Sequence, residues 1–263
     1  MKIKPKKSLG QNFLVDKNII KLIVDLGDIN ENDILLEVGP GTGNLTEQLL
    51  SKKPKKLIVV EKDKSLAVNL QERFKNKITI INDDILNINE DKLSNKEMII
   101  YGNLPYNIST QIFAKWIKLK NLNSICKKFI LMFQKEVAER IIADYNNKQY
   151  GRLSILSSWR MNIKKIKEIG PGSFYPSPKV KSTILLIEPK VKHFVIKNPK
   201  NLEHITNVFF NQRRKMIKKP LNILFKDVDN VSRKLKINTN QRPQNLSPTI
   251  YFQLCKEYEN LLN

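Results

Sequence analysis

The chain has 263 residues, 41% hydrophobic and 27% charged, and its formal net charge is +22. It can hold an α/β domain with a smaller appendage, and it is too apolar to be wholly disordered. Its apolar runs, such as residues 57–60 and 184–187, are too short to cross a bilayer, the lysine-rich residues 1–10 have no apolar segment behind them, and two isolated cysteines with two histidines argue against disulfides and zinc.

A reduced cytoplasmic protein is expected, without metal or membrane contact. Only eight of the 47 basic residues are Arg, and heavy use of Lys, Ile and Asn fits an AT-rich genome as well as a function. The placement of the charge is more telling. Residues 190–263 hold 15 basic and 5 acidic residues, about twice the net charge per residue of the preceding 189. A surface that meets nucleic-acid phosphates has this character.

The first two-thirds alternates strand and helix patterns, as a mainly parallel sheet requires. Residues 33–38 read as a buried strand and 39–43 as a tight turn. Residues 44–51 then form a helix with Leu45, Leu49 and Leu50 on one face. A second strand, 57–60, ends at Glu61, and a helix over 64–75 leads to strands at 78–81 and 98–101. A helix over 110–118 turns Ile112, Phe113 and Trp116 inward, a fifth strand covers 129–133, and a helix follows near 135–144. Residues 154–162 and 182–188 are expected as the last strands, on either side of the Pro-rich loop 171–178. After Pro189 the character changes to basic helices, which divides the chain into domains 1–189 and 190–263.

The strongest local pattern is Leu35-Leu36-Glu37-Val38-Gly39-Pro40-Gly41-Thr42-Gly43. Glycines at a strand-to-helix turn let a backbone approach a ligand closely. Glu61, 22 residues after Gly39 and at the end of the next strand, suits a ribose diol. The dinucleotide form GxGxxG is not met, because position 44 is Asn. After the third strand, Asp84 offers a carboxylate to an adenine amine, while Asp83 reads as a solvated loop residue. A nucleoside-bearing cofactor without a pyrophosphate fits this set, which points to S-adenosylmethionine.

The fourth strand runs into Tyr101-Gly102-Asn103-Leu104-Pro105-Tyr106. An adenine N6 amine is a poor nucleophile because its lone pair is delocalised into the ring. Accepting hydrogen bonds from its two N–H groups favours the pyramidal, reactive nitrogen. The Asn103 side-chain oxygen and the Leu104 carbonyl are suitable acceptors, Pro105 stiffens the turn, and Tyr106 offers a face for an extruded base. A sulfonium leaves as a neutral thioether, so no nearby general base is required.

These motifs resemble the rRNA adenine N6-dimethyltransferases, most closely the bacterial small-subunit family that dimethylates two adjacent adenines in a hairpin loop near the 3′ end of 16S rRNA. The resemblance extends along the chain, through Ser8-Leu9-Gly10-Gln11-Asn12-Phe13-Leu14, residues 134–140 and 150–154, Gly172-Ser173-Phe174-Tyr175-Pro176-Ser177-Pro178-Lys179-Val180, and Phe209-Phe210-Asn211-Gln212-Arg213-Arg214-Lys215. It implies a Rossmann-like methyltransferase sheet of seven mostly parallel strands with a small all-α carboxy-terminal domain. It implies cofactor contacts at Asn12, Leu14, Gly39, Gly41, Glu61, Asp84 and Asn103. The catalytic set it implies is Asn103, Leu104, Pro105, Tyr106 and Phe174, with Phe174 on the opposite face of the base from Tyr106. It further implies that Arg213, Arg214 and Lys215 hold RNA and that the partner is 16S rRNA within the 30S subunit or its precursor; the sequence does not fix the oligomeric state, and a monomer is the expectation.

One departure stands out: after Lys215 the chain reads Met216-Ile217-Lys218-Lys219-Pro220, and a proline inside a continuing helix would kink it. Three other readings stay open. They are a 23S rRNA adenine methyltransferase of the macrolide-resistance type, a ribosome-assembly factor without catalysis, and a DNA adenine methyltransferase. The last usually carries Pro where this chain has Leu104.

Overall fold

Short continuous runs of buried apolar residues form the central strands and build the frame on which everything else hangs. The computed structural model describes residues 5, 6 and 9–262; Ser8 of the amino-terminal motif lies outside them. By contacts the chain divides into two compact units, Met1–Ala138 with Asn162–Pro189, and Glu139–Met161 with Lys190–Asn263. Residues 139–161, expected in the first domain, therefore group with the basic carboxy-terminal helices.

The first unit opens with β1 (Phe13–Leu14) and α1 (Lys17–Asp25), then β2 (Ile34–Val38), α2 (Asn44–Ser51), β3 (Lys56–Val60), α3 (Lys64–Phe74) and β4 (Thr79–Ile81). It continues through β5 (Met98–Asn103), α4 (Ser109–Ile117), α5 (Leu122–Ile125), β6 (Cys126–Gln134) and α6 (Lys135–Ile142), whose end falls in the second unit. After α7 (Arg152–Arg160) come β7 (Met161–Ile169), β8 (Phe174–Tyr175) and β9 (Ser182–Pro189). The seven-stranded sheet has the order β4-β3-β2-β5-β6-β9-β7. The pairings from β4 through to β6 are parallel, and β9 runs antiparallel to β6.

Both faces of this sheet are covered, as a parallel sheet needs. Leu35, Leu57, Val59, Ile99, Tyr101, Ile130 and Met132 share one face and pack with Ile19, Ile20, Ile23 and Val24 of α1. Asp16 starts α1 by accepting from the backbone N–H groups of Asn18 (2.9 Å) and Ile19 (3.2 Å). On the other face Phe113 meets Phe133 edge-on at 5.6 Å, and Trp116 lies 5.3 Å from Phe129. Each such buried side chain contributes roughly 1.5–3 kcal/mol.

Residues 154–162 were expected to be a strand. Residues 154–160 belong instead to α7, where Ser157 Oγ donates to the Leu153 carbonyl at 2.6 Å and Ser154 Oγ to that of Arg140 at 2.6 Å, and only 161 and 162 are strand, as the start of β7. Serines set among Leu153, Ile155, Leu156 and Trp159 break up the apolar face and mimic alternation. The strand of this region is β7, at the sheet edge.

The second unit adds α8 (Pro199–Phe210), α9 (Lys218–Leu224), α10 (Val228–Leu235) and α11 (Pro248–Leu261). Phe209 and Phe210 pack on Tyr251, and the Glu259 carboxylate accepts from the backbone N–H groups of Lys197 (3.0 Å) and Asn198 (2.8 Å) at the start of α8. Pro220 does not kink a continuing helix. Helix α8 has already ended at Phe210, and Pro220 occupies the first turn of α9, where a missing N–H has no intrahelical partner to lose.

Candidate active site

The strand order reverses direction between β2 and β5, and open parallel sheets bind ligands beyond the carboxyl ends of their strands at that point. Here those ends deliver the turn after β2, Glu61 after β3, Asp84 after β4, and Asn103 at the end of β5. All line one pocket, together with Asn12, Leu14, Leu104, Pro105 and Tyr106. Every cofactor residue expected from the sequence is thus brought together.

The turn needs its glycines. Gly39 and Gly41 have φ of +70° and +59°, and a Cβ on Gly41 would lie 2.7 Å from the Phe13 ring. The Gly41 N–H donates to Glu61 Oε2 at 3.2 Å, and the Asp63 N–H donates to Glu61 Oε1 at 2.8 Å. Each oxygen keeps a lone pair for a hydroxyl. Burial raises the Glu61 pKa, and these two backbone donors oppose the rise. Beneath the turn, Glu37 accepts from Thr46 Oγ1 at 2.7 Å. Burial pushes the Glu37 carboxyl up to about 8, against the Thr46 bond and with help from the Glu61 charge.

Asp84 accepts from the Leu86 N–H at 3.0 Å and pairs with Lys62 Nζ at 2.8 Å. Burial works to raise its pKa, but Lys62 and Leu86 outweigh that and hold it below the usual range. Asp83 also lines the pocket but is exposed.

The Asn103 side-chain Nδ2 donates to the Asn12 carbonyl at 2.8 Å, leaving Oδ1 as the acceptor end. Leu104 is buried and wedges under Gly102, where a Cβ would sit 2.7 Å from Leu104 Cδ2. The Tyr106 hydroxyl shares a 2.6 Å hydrogen bond with Ser182 Oγ. Ser182 was not singled out in the sequence, and no local signal could have found it, since it lies 76 residues away on β9.

Phe174 departs from expectation. It pairs with Leu14 in the β1–β8 ladder, is 4% exposed within the core, and does not line the pocket. Adjacent strand residues point to opposite faces, and here the outward one is Tyr175, 61% exposed.

In the second unit, Arg213 donates from Nε to Gln244 Oε1 at 3.1 Å and from a terminal nitrogen to the Lys148 carbonyl. Arg214 and Lys215 are exposed and line a concavity with Lys218, Lys219 and Arg242.

The family model for ribosomal RNA adenine dimethylase matches residues 2–260. The chain belongs to that family. It is 55% identical over 261 residues, 99% of both chains, to the ribosomal RNA small subunit methyltransferase A of Pelagibacter ubique (strain HTCC1062). Among solved structures it is similar to a dimethyladenosine transferase from Plasmodium falciparum, with 26% identity, a TM-score of 0.77, and coverage of 94% of this chain and 98% of that one. It shares the fold of the 23S rRNA methyltransferase ErmE, with 21% identity, a TM-score of 0.68, and coverage of 94% and 100%. A member of the ribosomal RNA adenine dimethylase family is an enzyme, so the assembly factor without catalysis is set aside. The Rossmann-like methyltransferase sheet expected from the sequence is present. Among the described residues no helix is long and apolar enough to cross a membrane.

Proposed function

We propose that this rRNA adenine dimethyltransferase uses S-adenosylmethionine to methylate the N6 amines of two adjacent adenines in the 3′-terminal hairpin loop of 16S rRNA, acting as a cytoplasmic monomer on the 30S subunit or its precursor. The observation that carries the reading is the convergence of Asn103, Leu104 and Tyr106 with Gly39, Gly41, Glu61 and Asp84 on one pocket.

The pocket fits the cofactor. A positive-φ glycine turn clears space for a close ligand, the Glu61 carboxylate keeps lone pairs for a ribose diol, and Asp84, in the lining of the same pocket, is the carboxylate that would accept from an adenine amine. When bound, S-adenosylmethionine supplies a methyl on a sulfonium that departs as a neutral thioether. The protein's task is then to make the amine nucleophilic. Asn103 Oδ1 and the Leu104 carbonyl accept from the two N6 hydrogens, and the Tyr106 ring receives the base. The proton that the methylated amine no longer needs would be released from the Asn103 and Leu104 acceptors to water.

An unpaired loop base is drawn into the pocket at low cost because little stacking is lost. Arg214 and Lys215, with Lys218, Lys219 and Arg242, hold backbone phosphates through contacts that weaken with salt. Arg213 donates to Gln244 and to the Lys148 carbonyl inside its own unit and so supports that surface.

The test is competition. Unmethylated 30S subunits, 23S rRNA and duplex DNA are offered together with labelled cofactor. Label confined to 30S is expected; label on 23S rRNA transfers the chain to the resistance class, and label on DNA removes the RNA assignment.

A further inference from the structure

Asp63 lies two residues beyond Glu61 and is 4% exposed. It is the N-cap of α3, with Oδ1 accepting from the Ser65 N–H at 3.0 Å. That duty needs only a short polar side chain, and Ser or Asn performs it as well as Asp. This carboxylate does more. Its Oδ1 also accepts from Lys6 Nζ at 2.9 Å, and its Oδ2 accepts from Gln11 Nε2 at 3.0 Å. Gln11 is tied back in turn, because its Oε1 accepts from the Lys6 backbone N–H at 2.7 Å. Burial works against the charge, yet these donors win and hold the Asp63 pKa below the usual range.

The residue after Gln11 is Asn12, whose carbonyl receives the Asn103 amide. Leu14 follows, and its carbonyl accepts from Asn44 Nδ2 at 2.9 Å. Gln11, held by Asp63, is therefore adjacent to the one backbone acceptor that sets which way the Asn103 amide faces. An amide fixed by its NH2 end presents its oxygen the other way.

We propose that Asp63 is a positioning residue: by holding Lys6 and Gln11 it keeps the Asn12 carbonyl in place, and that carbonyl orients the Asn103 oxygen toward the substrate amine. The same hold keeps residues 9–14 along the cofactor pocket. The inference rests on the reading of Asn103 as the amine acceptor. The Lys6 ammonium reaches the buried carboxylate from solvent, its side chain 50% exposed, so that ion pair is screened and would contribute little by itself. The bond to Gln11 is the contact that fixes the segment next to Asn12.

Asp63→Ser separates the two duties, since serine keeps the helix cap but is too short to reach Lys6 and Gln11. Three measurements on the full chain are compared with wild type. They are hydrogen exchange over residues 9–14 and over α3, affinity for S-adenosylhomocysteine by calorimetry, and the single-turnover rate at saturating cofactor and 30S. The expected result is faster exchange over 9–14 with α3 unchanged, about tenfold weaker S-adenosylhomocysteine binding, and a rate about tenfold slower, as small misplacements of reacting groups produce. In an Asn103→Ala background the Asp63→Ser change should slow the rate no further, because the two act through one contact.

Unchanged exchange over 9–14 overturns the proposal, as does an equal slowing with and without Asn103. If α3 loosens in Asp63→Ser, the Lys6→Ala/Gln11→Ala double variant leaves the cap intact and must reproduce the exchange over 9–14. An inactive wild-type enzyme would refute the catalytic reading of Asn103, while the exchange result would still report on the hold itself.

Discussion

The Asn103 side chain reaches back 91 residues to donate to the Asn12 backbone carbonyl at 2.8 Å. The amide is thereby oriented before any substrate arrives, which is what gives a polar group catalytic value. Asn103→Ala should lower the single-turnover rate on native substrate by about 10²–10³-fold. Methyl transfer at the wild-type rate would remove Asn103 from the mechanism.

Tyr106 and Ser182 form a second such pair, with the hydroxyls 2.6 Å apart and Ser182 fully buried. Stacking is worth about 1–3 kcal/mol per base, so Tyr106→Ala should reduce kcat/KM by about 10–100-fold. Tyr106→Phe keeps the ring and loses only its anchor. It should cost less than about tenfold, as should Ser182→Ala, and combining the two should add little. Steady-state kinetics on 30S subunits checks the ranking.

Glu37 makes stability depend on pH. Its folded pKa, about 8, lies above the ordinary carboxyl value, so the folded protein holds the proton more tightly than the unfolded chain does. The resulting stability is fully present below the unfolded pKa and is lost as pH rises through about 8. Glu37→Gln keeps an acceptor for Thr46 without the titration. Thermal unfolding should show the variant gaining on wild type from pH 5 to pH 9, and a constant difference would refute a protonated Glu37.

Neighbouring arginines in the basic turn should behave differently. Arg213→Ala breaks bonds to Gln244 and Lys148 and should lower Tm by several degrees. Exposed Arg214 has no such duty. Arg214→Ala should leave Tm unchanged, weaken RNA binding, and reduce the slope of log affinity against log salt by about 1.

Much of the sheet could be read in the sequence because buried parallel strands are short apolar runs. The helix expected over 44–51 is α2, and the strand expected over 57–60 is β3 with Lys56 added. The pocket residues were legible because glycines, strand-end acids and Asn103 occur at fixed offsets from those strands. Residues 154–162 were misread as a strand because serines in α7 imitate alternation, and β7 beyond them went unread because this edge strand places its isoleucines, Ile163, Ile166 and Ile169, at intervals of three. The place of Phe174 and the partnerships of Ser182 and Asp63 depend on contacts between residues 52 to 160 apart. No local pattern encodes such pairings.

The central claim is tested most directly by transfer of labelled methyl from S-adenosylmethionine to unmethylated 30S subunits, followed by digestion to nucleosides and chromatography. The account predicts label in N6,N6-dimethyladenosine, from two adjacent adenines of 16S rRNA. Label only in N6-monomethyladenosine, or only in 23S rRNA, would contradict it.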